Sequence, residues 1–89
     1  MNGKPTLQQK PLPKWFDGTI YEEGDTVSNP YTGESIDLTA EELSMYDFIK
    51  GAEFVMSGMN ANTKLISEMR KGLDWFRRAN PEAYMVLLD

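Results

Sequence analysis

The sequence predicts a small α+β domain, mainly α, in which an N-terminal extended arm and a β-hairpin pack on a helical hairpin with a short C-terminal helix. Three observations carry that prediction. Leu38-Thr39-Ala40-Glu41-Glu42-Leu43 has the spacing of a capping box, with Leu38 and Leu43 at the two positions of a hydrophobic staple. Apolar residues recur at helical spacing on both sides of a break marked by Gly58, Asn60 and Asn62. Ahead of the capping box, two short β-prone runs flank Asn29-Pro30-Tyr31-Thr32-Gly33, where Pro30 suits a type I turn and Gly33 a following left-handed residue.

With 89 residues there is room for one core. A chain of this size buries roughly 60–65% of the surface its unfolded form exposes, near the lower limit for folding alone. The sequence has no Cys, so neither a disulfide nor a thiolate metal site adds stability. Oligomerisation is the remaining common remedy.

Taken in order, residues 1–14 read as a flexible arm, because Gly3, Pro5, Pro11 and Pro13 favour extended backbone and leave little to pack. A single domain spans 15–89. Within it, 15–38 is the β-hairpin region, opened by Trp15-Phe16 as an aromatic anchor onto the helices. Thr19-Ile20-Tyr21 is a β-prone run between the turn signals Asp17-Gly18 and Glu23-Gly24-Asp25, so the sheet is expected to have two or three strands. Val27, Ile36 and Leu38 are its inward positions.

Helix 1 is predicted over 39–58, with Thr39 as its cap. Met45, Phe48, Ile49, Ala52, Val55, Met56 and Met59 share one seam, which expects a second helix against it. Leu43, Tyr46 and Phe54 lie on other faces, so a second cover is expected there, from the hairpin and Trp15-Phe16. Helix 2 is predicted over 62–79, with Leu65, Ile66, Met69, Leu73 and Phe76 forming its apolar stripe and Gly72 allowing close approach. Asn80-Pro81-Glu82 caps and restarts a short helix over 81–88, whose apolar character expects docking on helix 1 or on a second subunit.

The net charge of −5 argues against a general nucleic-acid binder. That figure covers an asymmetry. Asp17 to Glu53 holds ten acids and one base, whereas Lys64 to Arg78 holds five bases and two acids. An acidic first half lying beside a basic last helix is the plain expectation; a steering patch for a charged partner is the other reading.

With no His, imidazole acid–base pairs, Ser-His-acid triads and imidazole metal sites are excluded, and without Cys so is thiolate chemistry. No phosphate-cradling glycine motif appears. The remaining route to catalysis is a carboxylate-only enzyme built on acids such as Glu22, Glu23 and Asp25, or Glu41 and Glu42. No cofactor, metal or small-molecule ligand is implied. The opening Met1-Asn2-Gly3-Lys4-Pro5 lacks the apolar stretch of a signal peptide, and no run approaches the ~20 apolar residues of a membrane span. A cytoplasmic protein is expected.

Three stretches together resemble small uncharacterised proteins of tailed bacteriophages infecting marine cyanobacteria. They are Val27-x-Asn29-Pro30-x-Thr32-Gly33-Glu34, Met45-Tyr46-Asp47-Phe48-Ile49-Lys50-Gly51-Ala52-Glu53, and Gly72-Leu73-Asp74-Trp75-Phe76 with Asn80-Pro81-Glu82-Ala83-Tyr84. The resemblance covers about residues 15–89. It implies synthesis in the cytoplasm of an infected bacterial cell, or a place in the virion, and brings no activity or site residue.

The functional expectation is a non-enzymatic protein-interaction module that works as a homo-oligomer or docks on a host or virion protein. Its candidate surface is Trp15, Phe16, Met56, Met59, Trp75 and Tyr84, within a chain whose methionines suit adaptable contacts. The alternative is a nucleic-acid-associated regulator using Lys64, Lys71 and Arg78, with Trp75 as a stacking ring.

Overall fold

A computed structural model describes residues 11–58 and 62–89. Its elements are β1 (Asp25–Ser28), β2 (Ser35–Leu38), α1 (Ala40–Gly58), α2 (Thr63–Ala79) and α3 (Pro81–Leu87). The architecture is a mainly helical domain, with a β-hairpin followed by α1 and α2 packed as a helical hairpin and closed by α3.

Local chemistry sets the element boundaries. The Thr39 amide donates to Glu42 Oε1 at 3.0 Å and the Glu42 amide to Thr39 Oγ1 at 3.3 Å, closing the capping box. Asn62 caps α2, its Oδ1 accepting from the Leu65 amide at 2.7 Å. Asn80 ends α2 and caps α3, its amide donating to the Phe76 carbonyl and its Oδ1 accepting from the Ala83 amide at 3.0 Å. Pro81 takes the first turn of α3, where no amide is needed.

β1 and β2 pair antiparallel with Val27 opposite Ile36 and Ser28 opposite Ser35. The connection is the expected turn. Gly33 has φ +81°, its amide donates to the Asn29 carbonyl at 2.8 Å, and Asn29 Oδ1 accepts from the Tyr31 amide at 2.8 Å. Period-2 alternation turns Val27, Ile36 and Leu38 inward, and Leu38 is buried. The sheet has two strands. Thr19-Ile20-Tyr21 is not a third. Its segment runs beside α1, where the Tyr21 amide donates to Ser44 Oγ at 2.9 Å, so a side chain takes the bond a neighbouring strand would have made.

The core is Leu38, Met45, Ile49, Phe76, Ala83 and Leu87, contributed by β2 and all three helices. Gly72 lets α1 and α2 meet: a Cβ there would lie 3.0 Å from Met45 Sδ and 3.4 Å from Ile49 Cγ1. Both neighbours are fully buried, so making room for a methyl group disturbs the core packing. Gly72→Ala should therefore lower stability by about 1–2 kcal/mol in urea unfolding, although Ala is about 1 kcal/mol better than Gly in a helix. A stabilised variant would mean that this contact yields.

Two expected neighbours differ from those found. α3 packs against α2 and β2, with Asn29 Nδ2 donating to the Val86 carbonyl at 2.8 Å, so its docking is internal and centred on those elements. The hairpin meets the start of α1 through β2 and does not extend to Phe54, which is 78% exposed. β1 begins and β2 ends level with Leu38, at the start of α1, and the far end of the hairpin lies against α3, where Asn29 bonds the Val86 carbonyl.

Candidate interaction surface

Trp15 and Phe16 are half-buried and converge on Phe48 of α1, with ring centroids 5.8 and 5.6 Å from it in edge-on geometry. The aromatic anchor thus grips the middle of α1. Docking already begins at Pro11, whose carbonyl accepts from Trp75 Nε1 at 2.9 Å, and Leu12 packs against the core. Residues 1–10 of the expected arm lie outside the described residues, as does Met59 of the candidate surface.

Of the other expected surface residues, Met56, Trp75 and Tyr84 are each half-buried, on α1, α2 and α3 respectively. Tyr84 packs on the core and Trp75 sits against the Pro11 carbonyl. Trp15 and Phe16 are brought together; these three are separately placed.

The apolar residues that stand free are different ones. On α1 Phe54 is 78% exposed and Val55 49%, and elsewhere Ile20, Tyr31 on the hairpin loop and Met85 on α3 stand out singly. Val55 lines an open groove of about 330 Å³ between α1, Leu65 at the start of α2, and the backbone of Gly18-Thr19. Phe48 and Ala52 form its apolar wall and Asp47 its edge. Gly18 permits the close approach of this segment, since a Cβ there would lie 2.8 Å from Phe16 Cζ and 3.4 Å from Phe48 Cβ. At Gly51, a Cβ would meet nothing within 4 Å, so the face of α1 between Asp47 and Phe54 is uncovered. The sequence contained the signal, because Phe54 lies off the α1–α2 seam. The cover expected for it is not supplied.

The basic residues Lys64, Lys71 and Arg78 are exposed and recur every seventh residue, hence on one face of α2. Lys64 Nζ lies 2.7 Å from Glu68 Oε2 and 4.0 Å from Asp17 Oδ2. The hydrogen bond with Glu68 holds the Lys64 ammonium above the ordinary lysine range, and the charges of Glu68 and Asp17 act in the same direction. Arg78 Nε sits 3.1 Å from Asp74 Oδ2, and Arg77 also pairs with Asp74. Among the described residues the ion pairs are mainly within one helix, Lys50 with Glu53 on α1 included. The expected pairing of an acidic half with a basic helix is represented there by Asp17–Lys64 at 4.0 Å. Partners three or four residues apart on a helix are closer than any the fold brings from elsewhere.

For acid-only chemistry, a shallow depression of about 220 Å³ contains Asp17 and Glu68, with Lys64 between them. Among the described residues no three acids gather where they could hold one metal ion. The buried carboxylate, Glu42, has its Oε1 engaged by the Thr39 amide and by Asn80 Nδ2 at 3.1 Å. Among the described residues no helix is long and apolar enough to cross a membrane. Comparison of the chain with protein-family models, curated proteins and solved structures finds no match.

Proposed function

We propose that the chain is a non-enzymatic interaction module of phage type. It binds another protein in a bacterial host cytoplasm or in a virion, through the uncovered second half of α1. The observation that carries this reading is the pair Phe54 and Val55, 78% and 49% exposed on the second half of α1, each lining an open depression: Val55 the groove walled by Phe48 and Ala52, Phe54 another with Lys50, Glu53 and Ser57. Contiguous exposed apolar surface on a small domain marks an interaction site, whereas scattered single residues do not. A large aromatic next to a depression has the make-up of an interface anchor.

The nucleic-acid reading keeps its exposed stripe of Lys64, Lys71 and Arg78. Against it, Lys64 and Arg78 have carboxylate neighbours, and the indole N–H of Trp75 is held by Pro11.

The test is affinity capture from a bacterial lysate with the wild-type chain and with Phe54→Ser/Val55→Ser, alongside sedimentation of both proteins. Both changes are at exposed positions, so the double variant should unfold within about 0.5 kcal/mol of wild type. The wild type should retain a protein, or self-associate, in a way the variant loses. Identical capture and identical monomeric sedimentation would remove the reading.

A further inference from the structure

The groove beside Val55 has an electrostatic character as well as an apolar floor. The charged residue of its lining is Asp47, while Asp17, next to the Gly18-Thr19 wall, faces Lys64 at 4.0 Å in a neighbouring depression. Nearby cations are already engaged, Lys50 with Glu53 at 3.2 Å and Lys64 with Glu68 at 2.7 Å. The last turn of α1 has no basic residue, so the negative end of its dipole is not offset by a side chain of that turn.

These charges argue against a second copy as occupant. A two-fold contact through Phe54 and Val55 would set the same acids against each other, on a chain of net charge −5. A head-to-tail contact would need the chain's basic residues to sit beside exposed apolar ones. The basic helix α2 has no exposed large hydrophobic residue, Met85 of α3 stands among Glu82 and Asp89, and Lys50, which shares a depression with Phe54, is paired with Glu53 at 3.2 Å.

Resting on the interaction reading above, we propose that the groove receives a basic amphipathic segment of another protein. Its large apolar side chains lie against Phe54, Val55 and the Phe48–Ala52 wall. Its lysine or arginine side chains lie along the Asp47 edge and the end of α1. The apolar contact supplies residence, and the charges supply the choice of partner.

The test uses the full chain and two fluorescein-labelled helical peptides, each about 18 residues long with leucine on one face. One has lysine on the other face, and its counterpart has glutamate. Anisotropy titration should show the leucine–lysine peptide binding about tenfold or more tighter than the leucine–glutamate peptide. Phe54→Ser/Val55→Ser should weaken it about tenfold. Asp47→Asn should reduce the preference for lysine while leaving thermal unfolding unchanged. Equal binding of both peptides, binding unaffected by the double variant, or no binding of either overturns the proposal. So does self-association that depends on Phe54 and Val55. If lysate capture depends on those residues while the peptides are not distinguished, the basic partner is refuted and the interaction reading stands.

Discussion

Glu42→Ala is expected to destabilise the domain by about 3 kcal/mol, well beyond the loss of an ordinary helix cap. Glu42 is 3% exposed, and its Oε1 accepts from the Thr39 amide at 3.0 Å and from Asn80 Nδ2 at 3.1 Å. Asn80 in turn ends α2 and caps α3. One carboxylate therefore joins the start of α1 to the junction of the other two helices. Truncating it strands two donors at a buried position. Thr39→Ala removes only the reciprocal half of the capping box and should cost about 1 kcal/mol. Urea denaturation of both variants checks the difference, and a cycle combining Glu42→Ala with Asn80→Ala should show coupling of about 1 kcal/mol. If Glu42→Ala costs no more than Thr39→Ala, the junction is not held from Glu42.

Gly24→Ala is the second large effect, of about 3 kcal/mol, at the upper end of what overpacking does. A Cβ on Gly24 would overlap the Leu38 carbonyl oxygen and lie 2.9 Å from both the Leu38 carbonyl carbon and Thr39 Cα. Those atoms are backbone at the end of β2 and the start of α1, so no rotamer change relieves the clash. The segment before β1 would have to move away, straining the Tyr21–Ser44 hydrogen bond and the first pair of the hairpin, Asp25 with Leu38. The midpoint of urea unfolding should fall with little change in its slope. Gly51→Ala, in mid-helix where a Cβ meets nothing within 4 Å, is the control and should stabilise by about 0.5–1 kcal/mol. A Gly24→Ala midpoint equal to that of Gly51→Ala would contradict the close approach.

Leu38 connects these two predictions. It is the last residue of β2, the staple before the Thr39 cap, and a buried member of the core. The hairpin cannot shift relative to α1 without exposing it, which is why strain at Gly24 and loss of Glu42 both act on the joint between the two kinds of structure. The groove lies farther along α1, beyond the hairpin, and Phe48, the seat of the aromatic anchor, is one of its walls.

The elements were legible because their determinants are local. Thr39 and Glu42 are three residues apart, Asn62 and Asn80 cap the turns that follow them, and Gly33 answers a left-handed φ within one loop. The predicted span of helix 2, 62–79, matches α2 with its cap, and the predicted 81–88 exceeds α3 by one residue. The apolar stripe of α2 follows from periodicity, and the close approach at Gly72 from the missing side chain beside that stripe.

Other features depend on residues distant in sequence. The Asn80–Glu42 bond spans 38 positions and the Trp75–Pro11 bond 64, and no periodic pattern encodes either. The same limit applies to the candidate site. Trp15 and Phe16 were legible as an anchor, but Phe48 as its seat was not, and Phe54 was assigned a cover that the short hairpin does not provide.

By itself the sequence determined where helices and turns start and stop, which face of each is apolar, and which residue classes are absent. Such properties depend on backbone hydrogen bonding and side-chain spacing within a few residues. Only the tertiary structure decided which apolar faces are covered, because coverage depends on how far each neighbouring element reaches. That reach left Phe54 and Val55 in solvent.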